Sequence, residues 1–166
     1  MLFLSFLFLA NALKIGAAAS LGVALARRVT SPAVAALVAV LAAAADLLSA
    51  LAGPTKALTE SIERGEPSPV IDLLDLLLLL FPTFGNPIGF ALGVSDLLFL
   101  ALFATTAYRL EGLRPRITLA LGCVSILIAM LTGLLLNHPL PALPLIALSF
   151  LLTNLDSLVT FLLKDA

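Results

Sequence analysis

Residues Ser31 to Pro54 read SPAVAALVAVLAAAADLLSALAGP, and this stretch decides the fold. Ser31 is a good N-cap and Pro32 suits the first helical position, because proline has no N–H to leave unsatisfied there. About 20 mostly apolar residues are needed to cross a bilayer as a helix. This segment supplies them before Gly53-Pro54 ends it. Between Arg28 and Lys56 its only charged residue is Asp46. An ionisable side chain at membrane depth is costly, so it usually faces a bundle interior or a water-filled cavity.

Working outward, the same pattern recurs. Between Asp75 and Arg109 the only charged residue is Asp96. The chain of 166 residues is 61% hydrophobic and 11% charged, with a mean hydropathy of +1.18. A soluble domain is about 25% charged, so an integral, multi-pass membrane protein is expected, built as one helical domain. The net charge of −1 leaves no basic footprint for nucleic acid. Cys123 and His138 are the only residues of their kinds. That excludes an intramolecular disulfide and multi-histidine or cysteine-based metal sites, and no cofactor is expected. Met1 to Leu13 has no positive leading region and Lys14 follows its apolar run, which reads as a span rather than a cleaved signal.

The expected architecture is all-α: a polytopic transmembrane bundle of about five spanning helices over 2–26, 32–52, 87–108, 116–136 and 141–163. A solvated loop is expected at 53–69. The apolar stretch 70–81 is too short to span and reads as an interfacial or re-entrant helix; the alternative is a helix continuous with the third span and kinked at Pro82 and Pro87. Small residues recur every fourth position at Gly16, Ser20 and Ala24, at Gly85, Gly89 and Gly93, and at Ser125, Ala129 and Gly133, a spacing that lets helices approach closely in lipid. With five spans, Arg27, Arg28, Arg109, Arg114, Arg116 and Lys164 share one side. The other side carries only Lys56 and Arg64 among several acids. The positive-inside rule then predicts a cytoplasmic C-terminus and an external second loop.

At 1.5 Å per residue, Asp46 lies roughly 10 Å and Asp96 about 14 Å from the outer ends of their spans, at similar depth on neighbouring helices. Asp156 lies near the inner end of the last span with Asn154 beside it, and is expected to make a local polar contact or to snorkel to the interface. Two carboxylates a few Å apart share one proton. The ionised member can take a proton from water while the protonated member donates to a scissile carbonyl oxygen. Spacing alone allows two other readings equally: buried helix–helix hydrogen bonding, or a cation site in a small transporter.

The residues flanking both aspartates favour the first chemistry. Ala45-Asp46-Leu47-Leu48-Ser49-Ala50-Leu51, followed by Gly53-Pro54-Thr55-Lys56, resembles the first catalytic segment of presenilins and signal peptide peptidases. Gly93-Val94-Ser95-Asp96-Leu97-Leu98-Phe99 is similar to the second, and Pro141-Ala142-Leu143-Pro144 to the Pro-Ala-Leu motif that opens the last helix. Order and spacing agree, and the resemblance spans nearly the whole chain as the family's last five helices. It implies an intramembrane aspartyl endopeptidase that hydrolyses peptide bonds within membrane-spanning helices. Asp46 and Asp96 would be the catalytic residues, and Gly93, Ser95, Pro141, Ala142 and Leu143 would shape the substrate side. The family's four preceding helices have no counterpart in these residues, so additional N-terminal helices or a second copy of the chain are expected partners, besides substrate helices and the bilayer.

Two departures stand beside the aspartates. Ala45 replaces the family's tyrosine, and Ser95 replaces the second glycine of Gly-x-Gly-Asp. An inactive homologue that binds helices, or a transporter-like protein that binds ions, is the alternative reading. Pro141 and Pro144 also break regular helix at the start of the last span, and irregular backbone at membrane depth is tolerated where it lines a cavity. Such backbone can pair with an extended substrate by strand addition. The alternative is a plain helix entry, since proline suits a helix start. His138 reads as an interfacial loop residue. Lys14, inside the first span, reads as snorkelling or as facing a polar cavity.

Overall fold

The structure, a computed structural model, describes residues 2–52, 78–83, 86–136 and 140–164. The expected loop at 53–69, the first part of the apolar stretch 70–81 and His138 lie outside the described residues. In chain order the elements are α1 (Leu2–Ala26), α2 (Pro32–Ala52), β1 (Leu78–Thr83), β2 (Asn86–Gly93), α3 (Val94–Arg109), α4 (Pro115–Leu136), α5 (Leu143–Thr153) and α6 (Leu155–Lys164). Three helices are long and apolar enough to cross a membrane, within α1, α2 and α4; a fourth span results if α5 and α6 are counted together.

Polarity is distributed inside out. Phe6, Leu9, Leu37, Leu41, Leu131 and Leu135 face outward, while Asn11, Asp96, Thr106, Thr118, Ser125, Thr153 and Asn154 are buried. That arrangement suits lipid, where helices associate through small residues and interhelical hydrogen bonds rather than through a hydrophobic effect.

Helix α3 is the central element. It packs most extensively on α1 and also on α4 and α5, and α2 packs on α5. Small residues set the close approaches. A Cβ on Gly22 would lie 2.3 Å from the Leu98 carbonyl oxygen, and one on Gly122 would lie 2.3 Å from Leu100 Cδ1. The buried stripe of α1 is therefore Ala18, Gly22 and Ala26. The expected stripe of Gly16, Ser20 and Ala24 is on the wrong face, and a Cβ on Gly16 would meet nothing within 4 Å. In an alanine-rich helix several phases carry small residues every fourth position, so spacing does not identify the packed one. On α4, Ser125 and Ala129 are buried as the pattern requires.

Two further expectations are corrected. The third long helix starts at Val94 rather than at residue 87, and residues 78–81 are strand rather than interfacial or re-entrant helix. β1 and β2 form an antiparallel hairpin with Leu78 opposite Gly93 and Phe81 opposite Phe90. Pro82 and Pro87 cannot donate helical hydrogen bonds. The register slips between Phe81 and Thr83, around Pro82, where a sheet tolerates a residue without an N–H. Only Phe84 and Gly85 separate the strands, and a two-residue connection with glycine is a hairpin signal in sequence.

The expected last span, 141–163, is two helices that meet at Asn154 with a bend of 66°. Asn154 Nδ2 donates to the Phe150 carbonyl at 2.8 Å and to Thr118 Oγ1 at 3.0 Å, and Oδ1 accepts the Arg114 N–H at 2.8 Å. The side chain thus competes for its own helix's carbonyl while tying the bend to α4, which is how asparagine breaks a helix from inside. Beyond the bend, Arg114 pairs with Asp156 at 2.8 Å, and Ser157 Oγ donates to the carbonyl of Gly112. Gly112 turns the α3–α4 connection at φ 85°, a conformation that glycine adopts without strain. Asp156 therefore makes the local polar contact that its position suggested.

Candidate active site

α3 and α5 run side by side in the same direction, and their first turns hold the site. Phe103 and Phe150 are fully buried and stack with ring centroids 4.8 Å apart, inclined by 17°. Asp96 precedes Phe103 by seven residues, and Leu143 precedes Phe150 by seven. Seven residues are close to two helical turns, about 10 Å, so the stack places Asp96 and the Leu143 end of α5 at one level.

Asp96 is the third residue of α3, 7% exposed. Its carboxylate accepts the N–H of Gly93, the N-cap of the same helix. This is the returning half of a capping box, in which an acceptor at the third helical position reaches back to the N-cap amide. Gly93 touches the carboxylate closely: a Cβ there would lie 3.1 Å from Asp96 Oδ2 and 3.1 Å from Ser95 Oγ. Because the helix begins at Val94, Asp96 lies in its first turn rather than 14 Å along it.

Asp46 reaches the same place from the other side. It is partly buried near the middle of the second half of α2, which packs on α5. The backbone N–H of Leu143 lies beside the carboxylates of both Asp46 and Asp96. The charge of Asp46 also acts directly on Asp96. Leu143 is the first residue of α5, where backbone N–H groups have no helical partner, and Pro144 beside it has no N–H at all. One backbone amide of the Pro-Ala-Leu segment thus lies next to two acids from two other helices. Asp46 Oδ2 is buried and has no hydrogen-bond partner among the described residues.

The remaining residues singled out in the sequence fall around this point. Pro141 is half-buried and non-helical; Ala142 and Leu143 have buried side chains, so Leu143 reaches the acids through its backbone. Ser95 and Ala45 are exposed on the first turn of α3 and on α2. Asp156 lies at the opposite end of α5. A surface hollow of about 310 Å³, lined by Pro32, Glu111, Gly112, Asp156 and Ser157, also lies at that end, away from the two acids. No group of three or more metal-ligating side chains occurs among the described residues. The sequence singled out Lys14 but not its partner: Nζ donates to the Leu78 carbonyl at 2.8 Å. Its signal was a lone cation at mid-helix, but its partner lies 64 residues away in a strand that was not expected.

No family model, curated protein or solved structure matches this chain at a significant level.

Proposed function

We propose that this chain is a multi-pass intramembrane aspartyl endopeptidase of presenilin/signal peptide peptidase type, with Asp46 and Asp96 as its catalytic dyad. The observation that carries the reading is that two acids from two helices meet at the start of α5, where the charge of Asp46 acts on Asp96 and the Leu143 backbone N–H lies beside both. Two acids gathered beside one amide form a unit that holds one proton between them.

The chemistry needs only these groups and water. The ionised carboxylate takes a proton from a water whose oxygen attacks the scissile carbonyl carbon. The protonated carboxyl donates to the carbonyl oxygen, giving a gem-diol. Collapse reverses these roles: one carboxylate removes a diol proton, the other carboxyl protonates the amide nitrogen, and the C–N bond breaks. The dyad returns to its starting protonation with no metal or organic cofactor.

A substrate helix must unwind before its peptide bond can be attacked. The hairpin beside Asp96 favours this, since a two-stranded sheet leaves one edge of each strand without a partner strand among the described residues. An unwound segment can add there as a further strand. We place the α1–α2 and α3–α4 connections and α6 at the cytoplasmic side, following the positive charges they carry.

One observation favours a second reading. The Asp96–Gly93 bond is also what a helix cap makes, so a non-catalytic protein that binds helices would retain it. Cleavage of a model single-span peptide in detergent separates the two. Wild type is expected to cut, with Asp46→Asn and Asp96→Asn each losing about 10²- to 10⁴-fold, the usual worth of a general acid or base. Folded wild type that does not cut, or Asn variants that cut equally well, would sink the enzymatic reading. Reporter fusions that place residues 53–69 in the cytoplasm would overturn the orientation.

A further inference from the structure

We propose that Lys14 is a positioning residue for Asp96: it anchors the base of the hairpin to α1, so that Gly93 stays packed on the carboxylate. The anchor stands on geometry alone, whereas its consequence for catalysis rests on the protease reading above. Lys14 is the midpoint of α1, twelve residues or about 18 Å from either end. That is too far for its side chain to snorkel to an interface. A cation held at mid-span is costly and is retained where it has a defined partner.

One partner is the Leu78 carbonyl, 2.8 Å from Nζ. Leu78 opens β1 and stands opposite Gly93 in the hairpin register. Gly93 in turn gives its N–H to Asp96 and lies against that carboxylate. The path from Lys14 to Asp96 therefore runs through one strand pair.

The packing of α1 on α3 puts the lysine at the right level. The two helices are parallel: Arg109 Nη1 reaches the Ala26 carbonyl at their last turns, and Gly22 packs on Leu98 and Leu102 further back. Eight residues before Gly22, Lys14 falls beside the residues that precede α3, which are those of the hairpin base. A hairpin this small is marginal alone and needs an external tether. The ammonium supplies one by donating to the Leu78 carbonyl at the base of the hairpin.

The test compares hydrogen exchange and cleavage for full-length wild type, Lys14→Met, Lys14→Gln and Lys14→Arg in detergent micelles. Lys14→Gln buries no charge and guards against a Lys14→Met protein that does not fold. Amides within 78–93 are expected to exchange about tenfold faster in both neutral variants, as loss of one charge-assisted bond implies, while α4 is unchanged. Lys14→Arg restores protection. In the cleavage assay the neutral variants lose kcat by a similar factor, with KM within about twofold, because Asp96 rather than substrate docking is disturbed. Unchanged exchange at 78–93 overturns the anchor, and wild-type kcat in a neutral variant overturns its catalytic role. If wild type does not cut but the exchange changes as expected, the anchor is upheld and the protease reading alone falls.

Discussion

The two ends of α5 treat acidic side chains in opposite ways. At its start, Asp46 and Asp96 come from two different helices to one backbone amide, and Asp96 is almost wholly buried. At its finish, Asp156 is exposed and paired with Arg114, whose own side chain is also largely exposed. An exposed ion pair is screened by solvent and contributes little, while two acids gathered in a buried place repel each other and raise the energy of the folded state. A protein tolerates such repulsion where it serves chemistry. On the proposed reading, one end of α5 is an attachment and the other a site.

The largest effect should come from removing what couples the two ends. Phe150→Ala empties the stack on Phe103 and is expected to cost about 3–5 kcal/mol of stability, seen as a lower unfolding midpoint in detergent. Loss of cleavage that exceeds the unfolded fraction would show that the stack also sets the Asp96–Leu143 level. Asn154→Ala comes next. It strands the Arg114 amide and Thr118 at the bend, for about 2–3 kcal/mol, and leaves kcat of the folded fraction near wild type. A large fall in kcat would mean that the ends are not separable.

Gly93→Ala acts at the other end. The new methyl stands 3.1 Å from Asp96 Oδ2, so the carboxylate must yield by a few tenths of an ångström. About a tenfold loss of kcat with stability nearly unchanged is expected, since a 1 Å misplacement alone can cost 10²-fold. The smallest effect belongs to Arg114→Ala: about 0.2–1 kcal/mol, reduced by salt, with no change in cleavage. A stronger effect there would erase the distinction between attachment and site.

Most of what distinguishes these ends was readable in the sequence. Asp46 and Asp96 stand out because charge is conspicuous in an apolar run, and depth counting separated Asp156 from them. Pro141 and Pro144 marked the start of α5 because proline restricts helix in a known way. Other features were not legible, for physical reasons. The sequence of 78–93 is leucine-rich and lacks a polar–apolar alternation that would separate strand from helix; only Pro82, Pro87 and the glycines betrayed the hairpin. The break at Asn154 depends on Thr118 and Arg114, which lie 36 and 40 residues away, and a single asparagine in an apolar helix does not announce a bend. The packed face of α1 was hidden by the surplus of small residues. Lys14 was visible as an anomaly, but its partner exists only once the hairpin does.

In the proposed dyad Asp46 and Asp96 act as one unit beside the Leu143 amide. A double-mutant cycle on kcat/KM for cleavage of a model membrane helix, using Asp46→Asn, Asp96→Asn and the two combined, tests this. Residues that work as a unit are strongly non-additive. Each single variant should therefore lose about as much as the double variant, and wild type should show a bell-shaped pH–rate profile, active only while one proton is shared. Losses that multiply in the double variant, or a single variant that keeps wild-type activity, would contradict the account.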